Sequence, residues 1–274
     1  MKKKGIWRYN LRKIQKYLEV MKISFLSSSS YSRDVLGSLI FLFLILFIMF
    51  SLWRVIFSSN GSGLAHFTLS KMLWYVASTE ALMLSGSKLR VRIDSEIRSG
   101  NIANFLVKPF FYPLFLVFDS LGSSIFSLII RLPVAFTVAL FFTLRLELTI
   151  NGFLSYVILG FLGLVLDALI TIFIGFFAFF IEDTAPVYWI YNKMLFTIGG
   201  LLIPVDIMPE IIKKVSYYLP FRFVLYNPAI SCVNFSLNFF IASLVGVSIS
   251  ILVMLFLTSM EFSVASRRLS INGG

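Results

Sequence analysis

The stretch VLGSLIFLFLILFIMFSLWRVIF, residues 35–57, sets the strongest limit on what this chain can become. Its backbone groups need partners that lipid cannot supply, so a helix is the economical way for such a run to exist in a bilayer. A helix of roughly 20 residues crosses the hydrocarbon layer. Comparable runs follow at about 66–85, 114–144, 153–181, 187–205 and 237–260. The chain is 58% hydrophobic and only 14% charged, against about 25% charged in ordinary soluble domains. With a mean hydropathy of +0.91, it reads as a polytopic all-α membrane protein.

The run at 114–144 contains Arg131 and Pro133. It is either one tilted or kinked helix, giving six spans, or two helices, giving seven. Charge arbitrates. With six spans and the N-terminus inside, 16 of the 24 Lys and Arg residues lie on the cytoplasmic side, in the arm, in the 86–113 loop and at Arg267 and Arg268. The positive-inside rule therefore favours six spans with both termini cytoplasmic. The same rule accounts for the net charge of +11 without invoking nucleic acid. Trp7, Trp53, Trp74 and Trp189 fall near proposed span ends or on the arm, where interfacial aromatics are favoured.

Residues 1–30 form a cytoplasmic arm and 31–274 the transmembrane domain. In the arm, Trp7, Leu11, Ile14, Leu18 and Met21 recur at three- and four-residue steps, which predicts a helix lying in the interface against lipid or packed on a neighbouring element. The loop at 87–112 holds an island of charge. Leu89, Ile93 and Ile97 sit four apart on one face, while Arg92–Glu96 and Asp94–Arg98 are i,i+4 pairs. That predicts a short helix, ended near Gly100, whose apolar face docks a soluble partner; the alternative is a merely solvated loop.

Several chemistries lack their residues. There is no G-x-x-x-x-G-K-(S/T) phosphate loop and no H-E-x-x-H. The single cysteine, Cys232, and single histidine, His66, build no metal cluster. Charges inside the apolar runs are costly and mark either a path or pairing between helices. Asp119, Arg131 and Asp167 are the candidates for a substrate path.

The segment EIRSGNIANFLVKPF resembles the acidic–x–x–x–Gly–x–(Ile/Leu)–x–x–x–Leu–x–(Arg/Lys)–Pro pattern of bacterial ABC-2-type exporter permeases, most closely a subfamily of paired permeases. Glu96, Gly100, Ile102, Leu106, Lys108 and Pro109 carry it. GGLLIPVDIMPEIIKKVSYYLPFRFVLYNPAI, residues 199–230, is similar to a second segment of that family through Gly200, Pro204, Pro209, Pro220, Phe221, Tyr226 and Pro228. The resemblance implies an ABC-2 permease fold of six transmembrane helices with an N-terminal interfacial helix. It implies an efflux permease of the cell inner membrane, paired with a second related permease as a heterodimer, with a homodimer as the alternative. Separate cytoplasmic ATPase subunits would carry ATP and Mg, with no cofactor on this chain. Residues 87–112, including Leu89, Ile93, Glu96, Ile97, Gly100, Leu106 and Pro109, would be the ATPase-coupling loop, and 207–236 an extracellular re-entrant region. An ion-coupled carrier or a non-transport membrane scaffold is the alternative from residue chemistry alone.

Overall fold

The structure is a computed structural model that describes residues 2–29, 32–59, 67–86, 89–108 and 110–272, with the side chains of 2–13, 32–36, 106 and 267–272 outside that description. Among the described residues the regular structure is helical. The elements are α1 (Lys2–Ser28), α2 (Ser32–Ser59), α3 (Leu69–Ser85), α4 (Leu89–Arg98), α5 (Ile102–Leu106), α6 (Tyr112–Thr143), α7 (Ile150–Phe176), α8 (Ala185–Thr197), α9 (Glu210–Tyr218), α10 (Tyr226–Val233) and α11 (Leu237–Asn272). Short turns of tighter helix at Phe177–Phe179, Val205–Ile207 and Pro220–Phe223 join them.

Among the described residues, four helical stretches are long and apolar enough to cross a membrane: Gly37–Ser59, Tyr112–Thr143, Ile150–Phe179 and Leu237–Ser266. α3 has 17 residues and α8 has 13. At 1.5 Å per residue these reach only about 25 and 20 Å, short of a hydrocarbon layer ~30 Å thick. The run expected at 187–205 is helical to Thr197 and then turns through Gly200, whose φ of +75° suits a residue without a Cβ.

α6 continues through Pro133, so the 114–144 run is one helix and not two. α11 runs well past the expected end at 260. Thr68 and Thr149 cap α3 and α7 by accepting from the backbone N–H groups of Lys71 (3.2 Å) and Gly152 (3.0 Å). α6 closes at Leu144, which takes φ +51° and donates its N–H to Leu140 O.

α7 and α3 form the interior. Of the four long stretches, α7 is the one mostly covered by protein, whereas α2, α6 and α11 turn most of their surface outward. α3 lies against α6, α2 and α10, and α7 against α11, α10, α4 and α6. Close approaches depend on absent side chains. A Cβ at Gly163 would stand 2.9 Å from Val224 O, and one at Gly152 2.6 Å from Cys232 O. The first half of α7 therefore lies against the 220–233 segment. Its last turn meets α4, which puts α4 and α10 at opposite ends of the bundle.

α1 packs along α6. Gly122 lets the two backbones meet, since a Cβ there would lie 2.2 Å from Met21 O. Ser24 Oγ donates to Asp119 O at 2.6 Å. This divides the expected apolar stripe of the arm: Met21 packs against the core, while Ile14 and Leu18 remain exposed together with Ile23 and Leu26. The side chains of Trp7 and Leu11 lie outside the described residues.

Candidate functional site

The charged island is α4, Gly100 and α5. Gly100 takes φ +72° between the two helices, a conformation that L side chains avoid. The Leu106 side chain and Pro109 lie outside the described residues. Lys108 places its Nζ 4.7 Å from the centre of the Phe105 ring.

The apolar face of α4 does not point outward as the spacing suggested. Leu89 is buried and Ile93 has no exposed surface. Ile97 is partly buried against the same core. The physical reason is a notch in α7: a Cβ at Gly175 would lie 3.0 Å from both Ile93 Cδ1 and Ile93 Cγ2, so the missing side chain makes room for Ile93. α4 uses its hydrophobic stripe to fix itself to this protein. Ile102 of α5 is likewise fully buried.

Charged groups make the second attachment. Arg92 donates from Nε to Glu96 Oε1 at 2.7 Å and from Nη1 to Asp119 Oδ2 at 2.5 Å. Tyr112 Oη donates to Glu96 Oε2 at 2.5 Å. Burial opposes the charge on Arg92, but the hydrogen bond to Glu96 and the charges of Asp119 and Glu96 outweigh it, holding the guanidinium above its ordinary range. Asp119, a candidate for the substrate path, is thus the α6 end of a clamp on α4. Rings surround the clamp: Tyr112 lies 5.5 Å from Phe105 and 6.0 Å from Phe176, and Phe176 lies 5.3 Å from Phe262 of α11.

A third attachment runs to the connector before α8. Thr184, fully buried, donates to Asp94 Oδ1 at 3.0 Å. Arg90 pairs with Asp94 at 3.4 Å and stands 5.6 Å over the Tyr188 ring of α8. Nothing in the sequence pattern marks Thr184, since its role depends on a residue 90 positions away.

The other path candidates lie apart. Arg131 of α6 donates to Ser38 Oγ of α2 from Nε at 3.1 Å and Nη2 at 3.0 Å. Asp167 of α7 accepts from Tyr191 Oη of α8 at 2.6 Å. It also borders a cavity of about 170 Å³ together with Met83, Gly86, Tyr188 and Asn192.

At the opposite end, the proline-punctuated segment is built onto α3. Tyr75 Oη donates to Gly200 O, and Thr79 Oγ1 donates to Leu201 O at 2.6 Å. Pro204 precedes a turn of tight helix, Pro209 precedes α9, and Pro220 opens the next turn. Phe221 packs 5.8 Å from Tyr191. Pro228 is buried within α10. Tyr226 Oη donates to Asp206 Oδ1 at 2.8 Å, and Arg222 Nε donates to Asn227 Oδ1 at 3.0 Å.

A family model described as ABC-2 family transporter protein matches residues 43–273. The chain belongs to the ABC-2 transporter family. No curated protein matches it. Membership makes this a multi-pass membrane protein of an ABC transporter, and ABC-2 membrane subunits generally work with ATPase subunits. The matched region contains α4 with its three attachments, the proline-punctuated segment and every long apolar helix except the first residues of α2.

Proposed function

We propose that this ABC-2 protein is the permease subunit of an ATP-driven exporter, forming the translocation path with a second, related permease. Separate cytoplasmic ATPases carry ATP and Mg and drive it through α4 and α5. One observation carries the reading: α4 is joined at once to α6 through Arg92 and Asp119, to α7 through Ile93 and Gly175, and to α8 through Thr184 and Tyr188. A push on so short a rigid element reaches three helices. Coupling further requires contacts that differ between two states.

On this reading the α4 end and both termini face the cytoplasm, and the α9–α10 end faces outward. The six crossings are α2, α3 with its flanking residues 67–68 and 86, α6, α7, α8 with the 198–204 turn, and α11. The residues left for the ATPase lie on the outer side of α4 and α5. Val91, Ser95 and Arg98 are exposed at four- and three-residue steps, and Val107 is 86% exposed. Leu89, Ile93 and Ile97 transmit rather than dock. Asp167 keeps the role of path residue because its carboxylate borders a cavity.

The test pairs Val91→Asp with Arg98→Glu in the complete transporter. Both side chains leave the interior undisturbed, so membrane insertion stays intact. Recovery of the ATPase with the permease should fall roughly tenfold, which corresponds to about 1.4 kcal/mol. Wild-type recovery and wild-type transport in the double variant would remove this surface from coupling.

A further inference from the structure

A cavity of about 280 Å³ lies where α2, the start of α3 and the end of α6 meet, with Phe50, Arg54, Thr68, Ser70, Phe142 and Arg145 among its walls. Two arginines from different elements reach it, and both are exposed. Neither side chain has an ion pair or a hydrogen bond among the described residues. Glu147, the carboxylate nearest to Arg145 along the chain, pairs with neither, and the 60–66 connector contains no acidic residue. Arg145 is held by its backbone, whose carbonyl accepts from Trp74 Nε1 at 2.9 Å and from Thr143 Oγ1 at 3.1 Å. The first turn of the 17-residue α3 lines the same cavity. Thr68 Oγ1 takes the Lys71 N–H, whereas the N–H groups of Leu69 and Ser70 meet no acceptor among the described residues. The aligned peptides add roughly half a positive charge at that end.

The donors select the ligand. One forked guanidinium already satisfies both oxygens of a carboxylate. Two guanidiniums on separate elements and a helix N-terminus suit an anion with more oxygens around its centre, and both kinds of donor are favoured by phosphate. The placement agrees. Arg54 lies five residues before the end of the Gly37–Ser59 stretch and Arg145 two residues after the end of Tyr112–Thr143, so the cavity sits at the edge of the hydrocarbon layer. Below it the wall turns aromatic: Phe142 stacks on Phe50 at 4.8 Å and lies 6.1 Å from the exposed Phe47.

We propose that this cavity binds a phosphate group, held between the Arg54 and Arg145 guanidiniums at the start of α3. A phospholipid headgroup and a free phosphate share this chemistry. The proposal needs α2 and α6 to cross the bilayer; it does not need an ATPase on α4.

The complete transporter, with its partners, is titrated in detergent with short-chain phosphatidic acid, and the bound lipid is read by native mass spectrometry. Wild type should retain phosphatidic acid but not diacylglycerol of the same chains, which lacks the phosphate. Arg54→Gln and Arg145→Gln should each weaken retention roughly tenfold, the loss expected for one hydrogen bond to a charged group. Arg54→Lys keeps the charge without the fork and should fall between. Both side chains are exposed, so the variants should fold, as an unchanged unfolding midpoint without lipid would verify. Inorganic phosphate is then added in competition. Displacement of the lipid supports a site for free phosphate, and persistence of the lipid supports a headgroup site. Equal retention in wild type and all three variants means an adventitious lipid only and overturns the proposal. Equal retention of diacylglycerol does the same. No binding in the complete transporter overturns it as well, leaving the arginines to the second permease.

Discussion

Arg92 sits between Glu96, one turn along its own helix, and Asp119 on α6. The first contact is legible from spacing, because i,i+4 residues share a helix face. The second joins residues 27 apart and depends on how α6 passes α4. Removing the guanidinium leaves two half-buried carboxylates without their counter-charge. Arg92→Ala should therefore cost about 1–3 kcal/mol, above an exposed pair and below a fully buried one. Arg92→Lys should lose less but still measurably, since a compact ammonium cannot reproduce the forked donor geometry. Thermal unfolding in detergent micelles checks the order; equal midpoints for all three proteins would mean that the clamp contributes nothing. The buried residues of the apolar stripe show the converse. Leu89, Ile93 and Ile97 were readable as one face, but the same spacing suits a face that docks outward and one that packs inward. Gly175, on another helix, decides between them.

At the scale of elements, α1 and α6 give the sharpest contact. A Cβ on Gly122 would meet Met21 O and the Phe25 backbone N–H, neither of which belongs to a flexible side chain. Gly122→Ala should push α1 off α6, with a loss of about 1–3 kcal/mol typical of overpacking. It should also expose the arm to limited proteolysis near Lys16 and Lys22 before the rest of the bundle is cut. Unchanged proteolysis would mean that α1 is held by lipid through Ile14, Leu18, Ile23 and Leu26 rather than by α6. Helix lengths follow the same division. The long apolar runs of α2, α6, α7 and α11 were legible because their composition alone demands a helix. α8 was not, because the break at Gly200 serves a contact with Tyr75 of α3.

For the molecule as a whole, the arrangement predicts an orientation. With Cys232 replaced by alanine, single cysteines at Ser95 and Ser270 should be labelled from the same face of a sealed vesicle. A cysteine at Tyr218, which is 85% exposed on α9, should be labelled from the other. Labelling of Ser270→Cys and Tyr218→Cys from one face would defeat the six-crossing arrangement. The prediction draws on two independent facts, the asymmetry of Lys and Arg along the chain and the placement of α4 and α10 against opposite ends of α7.

By itself, the sequence determined that this chain is helical, lives in a membrane and carries an ordered charged segment between apolar runs. Hydrocarbon leaves backbone hydrogen bonds no other partner, so composition and run length suffice for that much. The family segments around Gly100 and Gly200 were readable for a related reason: glycine and proline fix backbone shape locally. Tertiary structure alone decided where side chains spend their contacts. It turned Ile93 inward, made Asp119 a clamp and brought Thr184 to Asp94. Each of these depends on residues distant in sequence meeting across a close approach, and no periodicity within one segment records which neighbour will stand opposite.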